Sequence, residues 1–343
     1  MSPTVSPLPA NSSDGNARLS AARERLHSAS HILLVTHVSP DGDAIGSLCG
    51  LGLALRHLGK KVTLACDDPV PEIYKFIPAS LEVVKAPRAN FPADLFIAVD
   101  CADLARAGKV SQAAGRAPDF NFDHHLTNPA FAEFNFVDAD AAATAEVLYE
   151  SLDSLGLPLT LDVAECLLTG LIADTIGFRT SNVNQRTLRT AMGLMGAGAS
   201  LPNLYDLTLN RRSFAAARLW GEGLVRLQLD DGLVWTTLPL HARAAAGYRG
   251  IGDADLVNVL TTIYEAKVAI VFVERAGGEV KISLRAHPGV DVSIVAQAFG
   301  GGGHAAAAGA EVKGTLEEVQ ARVLPMVREL MQKTGASNVR RVA

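Results

Sequence analysis

Basic charge is in short supply in this chain of 343 residues: 31 Lys and Arg face 36 Asp and Glu, for a formal net charge of -5. A sequence-independent coat for long nucleic acid draws most of its affinity from Lys and Arg neutralising phosphates, so the acidic balance disfavours that class. Long apolar runs are missing too. None approaches the roughly 20 residues needed to cross a bilayer, and no membrane partner is expected. Cysteine is sparse: Cys49, Cys66, Cys101 and Cys166 lie among apolar neighbours without a CxxC pair. Free buried thiols in a reducing cytoplasm fit that pattern better than disulfides or a thiolate zinc site. The segment Met1 to Asn16 is rich in Ser, Pro and Asn and has neither a basic n-region nor an apolar h-region. It reads as a disordered leader over residues 1–18, not as a secretory signal.

Apolar residues are plentiful, at 48% with a mean hydropathy of +0.19, which excludes disorder of the whole chain. A chain this long normally forms about two domains. From Ala21, β-branched runs alternate with helical stretches, the pattern of a parallel sheet covered by helices. Ile32 to Thr36, Lys61 to Cys66, Asp94 to Val99 and Phe120 to Phe122 read as strands. Ala44 to Leu58, Ala141 to Leu155 and Leu161 to Ala173 carry helical periodicity. After Gly198 the pattern changes. A helical connector over 201–226 leads to new strands at Val234 to Thr237, Val268 to Val273 and Val280 to Leu284, with helices at Val292 to Phe299 and Leu316 to Met331.

The expected fold class is therefore α/β: a parallel-sheet domain over 19–200, then a smaller α/β domain with a mixed sheet over 227–335 and a tail over 336–343. The active site is expected in the cleft between the domains.

Chemistry-bearing residues recur at the ends of the first domain's strands. The first strand runs into Thr36-His37-Val38-Ser39-Pro40-Asp41-Gly42-Asp43. In isolation this is a turn, with Asp41-Gly42 as turn pair and Asp43 as helix N-cap. The third strand, however, ends on Asp100 and the fourth on Asp123-His124-His125. Open parallel sheets bind ligands outside the carboxyl ends of their strands. Asp174 closes a stretch too apolar to hold an incidental charge, at a helix C-terminus where an anion costs about 0.3–1 kcal/mol. Carboxylates gathered in one crevice repel each other unless a cation neutralises them. Imidazole nitrogens and carboxylate oxygens without a thiolate suit Mn²⁺, with Mg²⁺, Co²⁺ or Zn²⁺ as substitutes. Two ions about 3.5–4 Å apart form a clamp for displacement at phosphorus.

The set His37, Asp41, Asp43, Asp100, Asp123-His124-His125 and Asp174 resembles the four motifs of the DHH phosphoesterase family, which includes the RecJ exonucleases and family II inorganic pyrophosphatases. The second domain resembles the DHH-associated domain of the oligoribonuclease and phosphoadenosine-phosphate phosphatase type. That likeness is carried by Val280 to Arg285, Asp291-Val292, Phe299-Gly300-Gly301-Gly302-Gly303-His304 and Ala307-Ala308-Gly309. The resemblance implies one metal held by His37, Asp41 and Asp100 and a second by Asp43, Asp100, His124 and Asp174. His125 would face the substrate phosphate as donor or acid, and Asp123 would orient the neighbouring imidazoles.

Successive glycines expose backbone N–H groups to a phosphate. Gly301, Gly302, Gly303, His304 and Arg285 are accordingly candidate substrate contacts. The family commonly has a basic and then a polar residue after the glycine-histidine run and Ser after the arginine, whereas this chain has Ala305-Ala306 and Ala286. Those departures touch substrate preference and leave the metal chemistry alone.

The implied activity is removal of 5′-mononucleotides from short RNA or DNA oligonucleotides and dinucleotides such as pApA and pGpG, together with dephosphorylation of 3′-phosphoadenosine 5′-phosphate. A homodimer is common in the group. Behind this reading stand a cyclic di-AMP phosphodiesterase, a RecJ-like exonuclease, a family II pyrophosphatase and a non-catalytic nucleotide sensor. His31, His57, His241 and His287 have no motif partners. Asp67-Asp68 and Asp230-Asp231 read as turns, Arg211-Arg212 as a solvated helix face, and Trp220 and Trp235 as core.

Overall fold

The two central strands of the first half of the chain are apolar and fully buried over Ile32–Val35 and Leu95–Val99, as expected where both faces of a parallel sheet are covered. The computed structural model describes residues 13–85 and 92–339, and the chain divides into two compact units, Met1–Arg211 and Arg212–Ala343. In unit one, β1 (His31–Val35), β2 (Lys61–Cys66), β3 (Val84–Lys85), β4 (Leu95–Val99), β5 (Phe120–Asp123) and β6 (Phe134–Val137) form one parallel sheet in the order β3-β2-β1-β4-β5-β6.

Two of these strands were not read from the sequence. β3 is only two residues long and exposed. β6 repeats the alternation of β5: Phe120 pairs with Phe134 and Phe122 with Phe136, their rings stacked at 5.0 and 4.8 Å. The chain order reverses between β1 and β4, which are neighbours in register from Ile32↔Leu95 to Val35↔Ala98. That reversal is a topological switch point, where the loops leaving adjacent strand ends part and open a crevice.

Helices α1 (Ser13–Ser28), α2 (Gly42–His57), α3 (Lys109–Ala113), α4 (Thr144–Leu155), α5 (Leu161–Asp174), α6 (Gln185–Gly196) and α7 (Leu201–Tyr205) complete the unit. The start of α1 at Ser13 corrects the expected leader, which ran to residue 18. Ala22 and Leu26 are fully buried in the core, and the helix that carries them propagates back past that boundary. The rest of the expected leader, residues 1–12, lies outside the described residues.

Helices α2 and α5 run antiparallel with their backbones in direct contact. Gly42, Gly46 and Gly50, one helical turn apart, face Ala173, then Cys166 and Gly170, then Leu167. A Cβ built on Gly46 would sit 2.5 Å from the Cys166 carbonyl oxygen. Gly46→Ala should therefore force the helices apart and destabilise the protein by about 1–3 kcal/mol, the usual cost of overpacking. Urea titration with an unchanged midpoint would contradict the close approach.

In unit two, β7 (Gln228–Asp230), β8 (Leu233–Leu238), β9 (Val268–Arg275), β10 (Glu279–Ala286), β11 (Gly302–His304) and β12 (Ala307–Lys313) form a sheet ordered β11-β12-β10-β9-β8-β7. It is mixed: β8 and β9 are parallel and the other neighbours antiparallel. Helices α8 (Phe214–Leu224), α9 (Leu240–Ala246), α10 (Leu256–Leu260), α11 (Ser293–Ala298) and α12 (Leu316–Val339) surround it.

The expected connector helix over 201–226 is broken. Arg211 is extended, at φ -77° and ψ 127°, and Ser213 caps α8 by accepting the Ala216 N–H. The boundary between the units falls in this break. The Ala-rich stretch at Ala305–Ala308 is the turn and start of a hairpin strand, set by pairing of Gly303 with Ala308 and His304 with Ala307. Helix α12 continues through the expected tail at 336 as far as Val339, and the last four residues lie outside the described part. All four cysteines are buried and free. No helix among the described residues is long and apolar enough to cross a membrane.

Candidate active site

Strand β1 delivers His37 to the switch point. Its Nδ1 lies 2.8 Å from the Val38 carbonyl oxygen, which can only accept, so Nδ1 carries the proton. Nε2 then faces Asp100 Oδ2 at 3.4 Å and Asp41 Oδ1 at 4.0 Å. The N-cap of α2 is Asp41, not Asp43 as the turn reading had it: Asp41 Oδ1 accepts the N–H groups of Asp43 and Ala44 at 3.1 and 3.0 Å. Asp43 is buried in the first turn. Its carboxylate accepts from Thr144 N at 2.6 Å, Ala145 N at 3.0 Å and Ser47 Oγ at 3.2 Å. The N-terminus of α4, with its unsatisfied amides, thus holds this anion. A Cβ on Gly170 would meet Asp43 Oδ1 at 2.7 Å, so the glycine leaves room for the carboxylate.

Asp100 follows β4 in a left-handed conformation, at φ 56°, which Asp tolerates better than most residues. Its amide donates to the Phe122 carbonyl at 2.9 Å, and its Oδ1 accepts from Thr144 Oγ1 at 2.8 Å. At the end of β5, Asp123 Oδ1 accepts from His125 Nδ1 at 2.8 Å and Oδ2 from Asn128 Nδ2 at 2.6 Å. His124 Nε2 lies 3.5 Å from Asp174 Oδ2 and 3.8 Å from Asp100 Oδ1. Asp174 ends α5, as its sequence position implied.

Three groups of ligand atoms result, each within 4.8 Å: His37 with Asp41 and Asp100; Asp43 with His124 and Asp174; and Asp100 with His124 and His125. Asp100 therefore stands between the two donor sets.

The electrostatics are those of an acidic cluster short of positive charge. Burial, then the charges of Asp100, Asp174 and Asp41, push the Asp43 carboxyl well above its usual range. Burial and Asp100 raise Asp41 as well. Water screens that effect, because the Asp41 side chain is 55% exposed. Asp174 is pushed up to about 7, chiefly by burial and against the pull of His124. Burial also works against the Asp100 carboxylate, but hydrogen bonding to His37 and the charges of His124, His37 and His125 outweigh it and hold Asp100 below its usual range. Burial disfavours charged His37 and His125, yet Asp100 raises the first and Asp123 the second.

A pH dependence follows with a definite sign. Asp174 binds its proton more tightly folded than unfolded, so its contribution destabilises the chelated protein as pH rises from about 4 towards 7. His37 and His125, raised above 6.5, stabilise the folded state below that value and lose this contribution above it. Melting temperature in chelator should fall across pH 4 to 7 and then further. A flat or rising profile would contradict this balance.

Two residues at the site, Thr144 and Asn128, were not singled out from the sequence, and a pair, Asp67-Asp68, was read only as a turn. Thr144 looks like any helix-starting Thr. Asn128 looks like a turn residue, although its place after Asp123-His124-His125 was a signal. Asp67 and Asp68, read as turns, hold the site's loops: Asp67 accepts from Lys109 N and Val110 N at the start of α3, and Asp68 from Ser39 N at 2.7 Å.

The remaining candidates lie in unit two. Arg285 Nε donates to Asn258 Oδ1 at 2.9 Å. The expected cradle of four free glycine amides is corrected in part, because Gly300 N and Gly301 N donate to Gln297 O and Ala296 O at the end of α11. Gly302, Gly303 and His304 form the exposed edge strand β11. Gly303 is required by its backbone at φ 137° and by the Ala307 carbonyl lying where its Cβ would be.

Comparison with known proteins accounts for both units. The DHH family, N-terminal domain, matches residues 31–171, and the DHHA1 domain matches residues 248–333. A Thermus thermophilus protein named bifunctional oligoribonuclease and PAP phosphatase NrnA is 35% identical over 331 residues, covering 94% of this chain and 99% of its own. A Bacillus subtilis protein of the same name is 27% identical and covers 82% of this chain and 89% of its own. Among solved structures, an exopolyphosphatase-related protein from Bacteroides fragilis superimposes with a TM-score of 0.85 at 26% identity, covering 93% of this chain and 97% of its own. With a relative this similar along nearly its whole length, and with His37, Asp41, Asp43, Asp100, Asp123-His124-His125 and Asp174 gathered at one switch point, the chain belongs to the DHH family.

Proposed function

We propose that this protein is a two-metal phosphoesterase that hydrolyses short oligoribonucleotides and dinucleotides to 5′-mononucleotides and removes phosphate from 3′-phosphoadenosine 5′-phosphate. The observation that carries the reading is Asp100 grouped with His37 and Asp41 on one side and reaching, on the other, His124, which is itself grouped with Asp43 and Asp174. The substrate class is the one for which the Thermus and Bacillus relatives are named. The acidic net charge of -5 fits a short substrate better than a long polymer.

The residues fit divalent cations on chemical grounds. Asp43 and Asp174 are driven towards neutrality by burial and by the repulsion of neighbouring carboxylates, a cost that a cation removes. His37, Asp41 and Asp100 would hold one ion, and Asp43, Asp100, His124 and Asp174 the other. With nitrogen and oxygen donors and no thiolate, Mn²⁺ is the preferred metal, with Mg²⁺ or Co²⁺ as substitutes. Bound there, the pair supplies Lewis acidity at the phosphoryl oxygens and a nucleophile active at neutral pH.

The chain's own groups then divide the work. Thr144 fixes the rotamer of Asp100 through its hydroxyl and that of Asp43 through its amide. Asn128 and His125 occupy both oxygens of Asp123, so the imidazole is held by its Nδ1. His125 is assigned to the substrate phosphate, giving a proton to the leaving oxygen. Arg285, Gly302, Gly303 and His304 are assigned to the nucleotide remote from the reacting phosphorus.

The test is a metal-supplemented panel of 3′-phosphoadenosine 5′-phosphate, pApA, a five-nucleotide RNA, cyclic di-AMP, pyrophosphate and a long single strand. Turnover of the first three well above the others is expected. Preference for pyrophosphate or for the long strand would overturn the substrate class. Four buried free thiols fit a reducing cytoplasm as the place of action.

A further inference from the structure

Arg106 has no role in any of the motifs, yet it sits at the rim of the acidic site. Beyond β4, Asp103 caps a short turn, Leu104–Ala107, by accepting the Arg106 N–H at 3.0 Å. The Arg106 carbonyl accepts the Val38 N–H at 2.8 Å. That bond ties the loop after β1 to the loop after β4, the two strands that flank the switch point. The backbone of Arg106 is thereby fixed from both sides.

Its guanidinium lies 3.5 Å from His37 Nδ1. That nitrogen already donates to Val38 O, so two donors meet and the contact supplies no hydrogen bond. Among the described residues Arg106 makes no ion pair, although four aspartates crowd the neighbouring cluster, and it is exposed. An exposed arginine beside an anionic site, with no carboxylate partner, offers its planar fork to an incoming ligand. The fork matches two oxygens of a phosphate group.

We propose that Arg106 binds the reacting phosphate group of the substrate and offsets the repulsion between that anion and the site's own carboxylates. This rests on the phosphoesterase reading above. It separates two classes of contact: Arg285 and His304 engage the part of the substrate that varies, while Arg106 engages the phosphate common to all substrates.

The experiment compares wild type with Arg106→Ala and Arg106→Lys in the metal-loaded full-length protein. It measures kcat and KM on 3′-phosphoadenosine 5′-phosphate and pApA, calorimetric binding of inorganic phosphate and of AMP, and Mn²⁺ affinity. A charge-assisted hydrogen bond corresponds to about 10- to 100-fold. Arg106→Ala should lose that factor in kcat/KM on both substrates alike and weaken phosphate and AMP to a similar degree, with Mn²⁺ affinity and melting temperature unchanged. Arg106→Lys should recover part of the loss, because a point charge replaces the fork. Unchanged kcat/KM and phosphate affinity would overturn the proposal. So would a loss of Mn²⁺ affinity together with melting temperature, which would mark a structural role. If wild type turns over neither substrate, the functional reading fails, while the phosphate and AMP titrations still decide the role of Arg106.

Discussion

Asp100→Asn should lower kcat on every phosphoester by about 10³-fold or more, because in the proposed two-metal site the lost carboxylate serves both donor sets at once. Its Oδ2 lies 3.4 Å from His37 Nε2, and its Oδ1 lies 3.8 Å from His124 Nε2. Charge stabilisation by bound metal is worth several kcal/mol, and each 1.36 kcal/mol is tenfold in rate. Asn is the informative replacement. Asp100 sits at φ 56°, a region that Asn enters readily and Ala only with strain of about 1–2 kcal/mol. The variant should therefore keep the wild-type circular dichroism spectrum while losing turnover. Substantial activity in a metal-saturated assay would sink the assignment of Asp100 as the shared ligand.

The second large effect is expected at His125, which Asp123 orients and Asn128 backs from the other side. His125→Ala should reduce kcat about 10²- to 10⁴-fold, the range for loss of a positioned acid or base. Asp123→Asn and Asn128→Ala act through that imidazole and should cost less, about 10- to 100-fold. A further check separates proton donation from metal binding, since His125 also shares one of the three ligand-atom groups. If His125 acts as acid, a substrate with a good leaving group should rescue most of the loss in His125→Ala and none of it in Asp100→Asn. Equal loss on good and poor leaving groups would move His125 into the metal site.

Much of this was legible in the sequence, for a physical reason. The two central strands are apolar and buried over Ile32–Val35 and Leu95–Val99, so the polar residues that follow them stand out, as Asp100 and Thr36-His37 do. Helix periodicity placed α2, α4 and α5 to within three residues at their starts. What was missed depends on partners distant in the chain. Thr144 matters because α4 starts against Asp43 and Asp100, which lie 101 and 44 residues away. The hydrogen bond from Val38 to Arg106 likewise joins loops that only the sheet order brings together. The short strands β3 and β11 have too few residues for a period of two to be visible. The glycine run suggested a cradle because composition alone does not tell which amides the preceding helix has already taken.

The direct contact of α2 with α5 also sets a timetable for synthesis. Gly42, Gly46 and Gly50 lie more than one hundred residues before their partners at Cys166, Gly170 and Ala173, so this pairing cannot close before the chain has been made to residue 173. The nascent chain displays His37, Asp41, Asp43, Asp100, His124 and His125 while roughly fifty residues are added to reach Asp174, several seconds of translation at about 5–20 residues per second. Until α5 docks, Asp43 lacks both the wall formed by Gly170 and its neighbour Asp174. A cation captured by Asp43 and His124 on the emerging chain would meet an incomplete donor set, and full affinity at that set would arrive only with the last turn of α5. Chains truncated before Asp174 should therefore bind one Mn²⁺ where the full-length protein binds two, read by equilibrium dialysis, because His37, Asp41 and Asp100 are already present.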